Sequence, residues 1–230
     1  NAGTLQVGSN TALGTGALNT AAGTTLDATA AVTLANAVNM AADLILGGTQ
    51  ALSLNGIVSG LGAGLIKNGT AALSLGGANT YTGNTSLNAG SLIVGSNTAL
   101  GVGGTLNTVA GTTLDASTAV TLANAANITG NLNIGGTADL TLGGVVAGGG
   151  LTKNGAANLI LNGANTLLSG VTLNAGALTV GNTTALGVRE LSVPGAVARY
   201  TSATVALATP LAGLAQGRKD AIVIGMALEP

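Results

Sequence analysis

Apolar residues in this chain come in short bursts of period two: "TLQV" (4–7), "LIL" (44–46), "LSL" (52–54), "ALSL" (72–75) and "SLIV" (91–94). Each burst is about half an ordinary strand long, and Gly, Asn or Thr flank it, residues suited to turns and left-handed backbone. Helical periodicity is nowhere sustained. "VTLANAANITGN" (120–131) comes nearest, but its β-branched residues and its glycine argue against a helix. The pattern predicts many short, half-buried strands separated by polar turns.

The bursts also recur at long range. "NAGTLQVGSNTALG" starts at Asn1, "NAGSLIVGSNTALG" at Asn88 and "NAGALTVGNTTALG" at Asn174, spacings of 87 and 86 residues. The interiors match as well. "GTTLDATAAVTLANAVN" (23–39) returns as "GTTLDASTAVTLANAAN" (111–127), and "LIKNGTAALSLGGANT" (65–80) as "LTKNGAANLILNGANT" (151–166). Two full copies and the start of a third, ending at Gly187, make the chain a repeat protein.

Short half-buried strands must put one face somewhere. Hairpins would want Asn-Gly pairs between strands of matched length and charged outer faces, and neither is prominent. A parallel coil does better: each turn stacks on the next at about 4.8 Å, and Leu and Val fill a narrow bore. At roughly 20 to 24 residues per coil, residues 1–187 predict an all-β parallel β-helix of eight or nine coils. Asn and Thr at equivalent turns are expected to form hydrogen-bonded ladders. Residues 188–230 hold seven of the thirteen charged residues and all three Pro. They are expected to cap the open coil end, with strands at 203–208 and 221–228, or to join one subunit to the next.

Composition agrees with a thin core. The chain has no Cys, His, Trp or Phe, only two Tyr and 39 Gly, and 6 % of its residues are charged. A compact globule filled with aromatics is excluded, and a mean hydropathy of +0.58 sets it apart from disordered chains. A net charge of −1 offers no footprint for nucleic acid. No apolar run approaches the ~20 residues of a membrane-spanning helix. The chain opens in mid-pattern, so a mature fragment of something longer is expected.

Residues 52–101, "LSLNGIVSGLGAGLIKNGTAALSLGGANTYTGNTSLNAGSLIVGSNTALG", resemble the autotransporter-associated β-strand repeat. Lys67, Gly69, Leu73, Leu75, Gly77, Asn79, Tyr81, Gly83, Gly90, Leu92 and Val94 sit on that repeat's positions. The second copy keeps Lys153, Gly155, Leu159, Leu161, Gly163 and Asn165 but has Leu167 for Tyr and Ser169 for Gly. The resemblance implies a right-handed parallel β-helix, the passenger of a type V secreted bacterial protein. It also implies an extracellular location and an outer-membrane β-barrel translocator elsewhere in the full-length protein.

Candidate chemistry is sparse. Without His or Cys there is no Ser-His or Cys-His pair. The acids are Asp27, Asp43, Asp115, Asp139, Asp220, Glu190 and Glu229. Asp27 and Asp115 occupy one repeat position, so stacking would set them several coils apart; each is expected to accept backbone N–H bonds in a turn. "GGTADLTL" (135–142) is out of register for a Ca²⁺-binding roll. Lys67 and Lys153 are expected to be solvated turn lysines, with recognition of an acidic glycan as the alternative. Tyr81 is expected at the coil's edge, with sugar stacking as the alternative. "GLGAG" (60–64) lacks the strand-to-helix context of a phosphate loop.

No catalytic, cofactor-binding or metal-binding residue is therefore assigned, and no cofactor is expected. The sequence points to a non-enzymatic extracellular rod, acting as stalk, adhesin or surface-filament component. Self-association, end to end or side by side, and host or biofilm glycans are its candidate interactions. A carbohydrate-active β-helix enzyme using Asp residues, or an ice-binding solenoid, are the alternatives.

Overall fold

The structure, a computed structural model, describes residues 3–187 and two further short strands, Leu191–Ser192 and Ala203–Leu207. Three residues is the commonest strand length, and these triplets repeat one scheme. In Leu44–Leu46, Leu52–Leu54 and Leu73–Leu75 the outer two leucines are buried and the middle residue is half-buried. That is the period-two pattern of a half-buried strand. One face of each triplet enters the bore and the other faces outward. No helix occurs among the described residues.

The pairings between described strands are parallel, with partners 19 to 22 residues apart as far as Val180: Leu73 pairs with Leu92, and Leu92 with Leu114. Following these pairs sorts the strands onto three faces. The first runs Gly3–Val7, Thr24–Ala28, Leu44–Leu46, Leu65–Lys67, Thr85–Leu87 and Leu106–Thr108. It continues through the first halves of Ala126–Ile134, Val146–Lys153 and Thr166–Leu173, giving nine levels. The second runs Val32–Leu34, Leu52–Leu54, Leu73–Leu75, Ser91–Val94 and Thr113–Ala116. It then takes the second halves of the same three long strands. These long strands turn the corner between faces, with irregular register at Ile128/Asn131 and Gly148/Gly150.

The third face is interrupted. Leu18–Thr20, Val38–Met40 and Val58–Ser59 form its lower part; Val120–Leu122, Leu140–Leu142, Asn158–Leu161 and Gly176–Val180 its upper part. Irregular segments carry the stack between them. Thr80 N donates to Val58 O, Thr82 N to Gly60 O and Val102 N to Tyr81 O, at 2.8 to 3.1 Å. The core is one aliphatic column of Leu, Val, Ile and Ala, with Tyr81 as its single aromatic side chain among the described residues.

The sequence repeat and the coil do not share a period. Gly3–Val7 lies on the first face, and four further coils lead up that face to Thr85–Leu87. The counterpart of Gly3–Val7 in the second copy, Ser91–Val94, lies on the second face; the third-copy counterpart, Gly176–Val180, lies on the third. One copy therefore makes four coils plus one face, and each copy is turned one face from the last.

Part of the tail continues the coil. Leu191–Ser192 pairs with Val171 and Thr172 on the second face, and Ala203–Leu207 with Gly176–Val180 on the third. The strand predicted at 203–208 is present one residue shorter. The strand predicted at 221–228 lies outside the described residues.

Candidate functional site

The polar residues that recur between copies are the candidate site, and the structure puts most of them between coils. Lys67 ends the strand Leu65–Lys67 at an inward position, stacked between Leu46 and Leu87. It is 3 % exposed, and its ammonium donates to the carbonyl oxygens of Gly69 and of Ala89 in the next coil. Lys153 is fully buried and donates to Gly155 O at 2.6 Å and Asn154 O at 3.1 Å, with Gly135 O of the preceding coil at 3.5 Å. The expectation of solvated turn lysines is overturned, and neither ammonium is placed to meet an acidic glycan. The alternation held the signal: in "LIK" the lysine stands two residues from an inward leucine, on the same side of the strand. Burial pushes Lys67 below the ordinary lysine range. Burial does the same to Lys153, against the pull of Asp115 and Asp139.

The aspartates accept backbone N–H bonds, as expected, but Asp27 and Asp115 do so from within the strands Thr24–Ala28 and Thr113–Ala116, not from a turn. Asp115 accepts hydrogen bonds from Ala116 N at 2.8 Å and, in the next coil, from Gly136 N at 2.9 Å, Thr137 N at 3.1 Å and the Thr137 hydroxyl at 2.6 Å. Partial burial works against its charge, but these four donors outweigh it and hold its carboxyl below the usual range. Asp27 accepts from Ala28 N at 2.7 Å. Asp43 takes Gly64 N and Asp139 takes Asn158 N, each from the coil above. Asp27 and Asp115 lie four coils and one face apart. Among the described residues no three His, Cys, Asp or Glu side chains converge on a metal site.

A second inward pair ties three levels together. Asn79 is fully buried; its Oδ1 accepts from Val58 N at 2.8 Å and its Nδ2 donates to Ala99 O at 2.7 Å. Asn165 repeats this with Val146 N and Ala185 O at the same distances. Beside Asn79, the Tyr81 hydroxyl meets the Thr85 hydroxyl at 2.6 Å, both buried. Tyr81 thus fills the bore instead of capping an edge, which leaves no exposed ring for sugar stacking. The glycine of the next turn makes room for it: Gly101 has φ +70°, and a Cβ there would come within 2.2 Å of the Tyr81 carbonyl oxygen and 2.8 Å of its ring. In the second copy Leu167 replaces Tyr81 and Val171 replaces Thr85, both buried. Hydroxyl donor and hydroxyl acceptor disappear together. This exchange is visible in the aligned copies, but its meaning requires the contact.

On the outside, carboxamides stack as the repeat suggests. Asn39 Nδ2 donates to Asn19 Oδ1, Asn88 Nδ2 to Asn68 Oδ1 and Asn174 Nδ2 to Asn154 Oδ1, all at 2.8 Å. The Ser59 hydroxyl extends the first ladder, 3.1 Å from Asn39 Oδ1. With both lysines buried, no described residue offers an exposed cation; the charges nearer the surface are the four aspartates.

Together these features define a parallel β-solenoid whose polar residues fasten coil to coil. Residues 65–94 and 151–180 match a family model described as Passenger-associated-transport-repeat. The two matches are consistent with an autotransporter passenger domain with repeats, and each spans a buried Lys and Asn just described. No curated protein and no solved structure matches the chain.

Proposed function

We propose that this chain forms the rod of an autotransporter passenger, displayed at the bacterial cell surface as a stalk or adhesive surface and without catalytic activity. The observation that carries this reading is the pair of passenger-associated repeats lying within an uninterrupted coil. Asp27 and Asp115, the acids at one repeat position, stand four coils and one face apart, which supports a non-catalytic role, since glycoside hydrolysis needs two carboxyl groups within about 10 Å of each other. Self-association is the finer part of the proposal: turns that recur on successive faces offer weak contacts around the whole rod, and weak contacts add through multivalency.

The test is to place the chain between an export leader and an outer-membrane barrel and to probe intact cells with antibody. Surface labelling is expected; labelling only after lysis, with the barrel inserted, would overturn the reading. Purified protein is expected to lengthen into larger species in sedimentation as concentration rises. Monodisperse single rods at high concentration would remove the self-association part alone.

A further inference from the structure

We propose that the Leu61–Gly62 bond, in the loop at residues 60–64, is a built-in cleavage site for an endopeptidase whose primary pocket accepts leucine, in a coil whose described lysines and aromatic ring are buried. Lys67 and Lys153 are the only Lys or Arg among the described residues, and Tyr81 is the only aromatic; all three are buried. The main chain at Lys67 is also held from both sides: Asn68 N donates to Leu46 O, and Asn88 N to Lys67 O. A protease that reads basic or aromatic residues must first open the stack.

The loop at 60–64 differs at Leu61, although its neighbours are bonded: Gly83 N donates to Ala63 O, and Gly64 N to Asp43. It joins Val58–Ser59 to Leu65–Lys67 with "GLGAG", two residues longer than the equivalent corner of the second copy, where the single strand Val146–Lys153 runs straight through "GGG". The two extra residues push Leu61 out to 93 % exposure, the most exposed large apolar side chain among the described residues. Gly60 O and Gly62 N are held by Thr82, yet the Leu61 main chain makes no hydrogen bond. Glycines flank it, Gly62 at φ +72°, and beneath it lies a shallow depression lined by Gly23, Ala41, Ala42 and Asp43. Exposed loops of small residues are where nicking concentrates. Hydrolysis would break the Leu61–Gly62 amide, water supplying a hydroxyl to the Leu61 carbonyl carbon and a proton to the Gly62 nitrogen. Both new ends remain attached to strands stacked in adjoining coils, so the nicked rod holds together.

The experiment uses limited digestion of the whole chain, read by mass spectrometry. Chymotrypsin, whose hydrophobic pocket also takes leucine, is expected to cut first after Leu61, and the nicked protein to elute at the size of the intact one. Deleting Leu61 and Gly62 is expected to slow that first cut at least tenfold. A Leu61→Lys variant is expected to become sensitive to trypsin at the substituted position, with Lys67 and Lys153 still uncut, an internal proof that the variant is folded. First cuts elsewhere within residues 3–187, separation of the two pieces on nicking, or trypsin cleavage at Lys67 as fast as at the substituted loop would each overturn the proposal.

Discussion

Asp115 and Lys153 hold one turn from opposite sides. The carboxylate reaches up from one coil to the N–H groups of Gly136 and Thr137, and the ammonium approaches from the coil above, 3.5 Å from Gly135 O. Donors of the turn point at the anion and an acceptor at the cation, so both orphan sets of a tight Gly-Gly turn find partners. The two charges do not form a direct ion pair; the turn between them is the bridge.

Asp115 makes the coil acid-sensitive in a defined window. Its folded-state carboxyl titrates below the unfolded value of about 3.9, so its contribution is complete above that value and is lost as pH falls through the lower folded value. Asp115→Asn is expected to cost about 1–2 kcal/mol at neutral pH through weaker hydrogen bonds. It should also flatten the fall of melting temperature below about pH 4. An unchanged acid limb in the variant would count against the clamp.

The lysines give the opposite limb. Burial lowers the folded-state pKa of Lys67, so the unfolded chain binds its proton more tightly and stability rises with pH toward the unfolded value of about 10.4. Melting curves taken as pH climbs toward about 10 should show that rise in the native chain and lose part of it in Lys67→Met. Methionine keeps the stem's packing, so Lys67→Met is expected to lie within about 1.5 kcal/mol of native, whereas Lys67→Ala should cost about 2–5 kcal/mol through the cavity it leaves.

Tyr81 and Thr85 are coupled. Tyr81→Leu leaves the Thr85 hydroxyl buried without its partner, and Thr85→Val leaves the Tyr81 hydroxyl only the Ala99 carbonyl oxygen at 3.5 Å, each adding about 1–3 kcal/mol to the cost. The double variant recreates the pair present in the second copy. A double-mutant cycle by chemical denaturation is expected to return a coupling of about 1–2 kcal/mol favouring the matched pair. Additive losses would show that the hydroxyl contact contributes nothing of its own.

Thr108 is the reverse case. Its buried hydroxyl, like that of its first-copy counterpart Thr20, has no hydrogen-bond partner. Thr108→Val keeps the shape and removes the orphan, so a gain of up to about 1 kcal/mol is expected, read as a higher denaturation midpoint at unchanged slope. A loss of stability would mean that the hydroxyl is satisfied in solution.

Much of this was legible beforehand. The triplets Leu44–Leu46 and Leu73–Leu75 announce their inward faces by alternation alone, because a strand's side chains alternate whatever it packs on. The aligned copies also marked Lys67, Asn79 and Tyr81 as recurrent or exchanged positions. Residue type then misled for Lys67 and Tyr81: a lysine or a tyrosine is usually placed at a surface, and only a ring of free carbonyl oxygens or a neighbouring hydroxyl makes burial tolerable.

The amino-acid sequence by itself determined the short strands, the parallel stacking, the coil length and the 87-residue unit. These follow from period-two patterning and from self-similarity, which need no knowledge of neighbours. Only the tertiary structure decided that each copy is turned one face from the last, that Lys67 and Lys153 point into the column, and that Leu61 is thrust outward. Those outcomes depend on how many residues each corner consumes and on which carbonyl and amide groups the adjoining coil leaves open, quantities fixed when one coil settles on another.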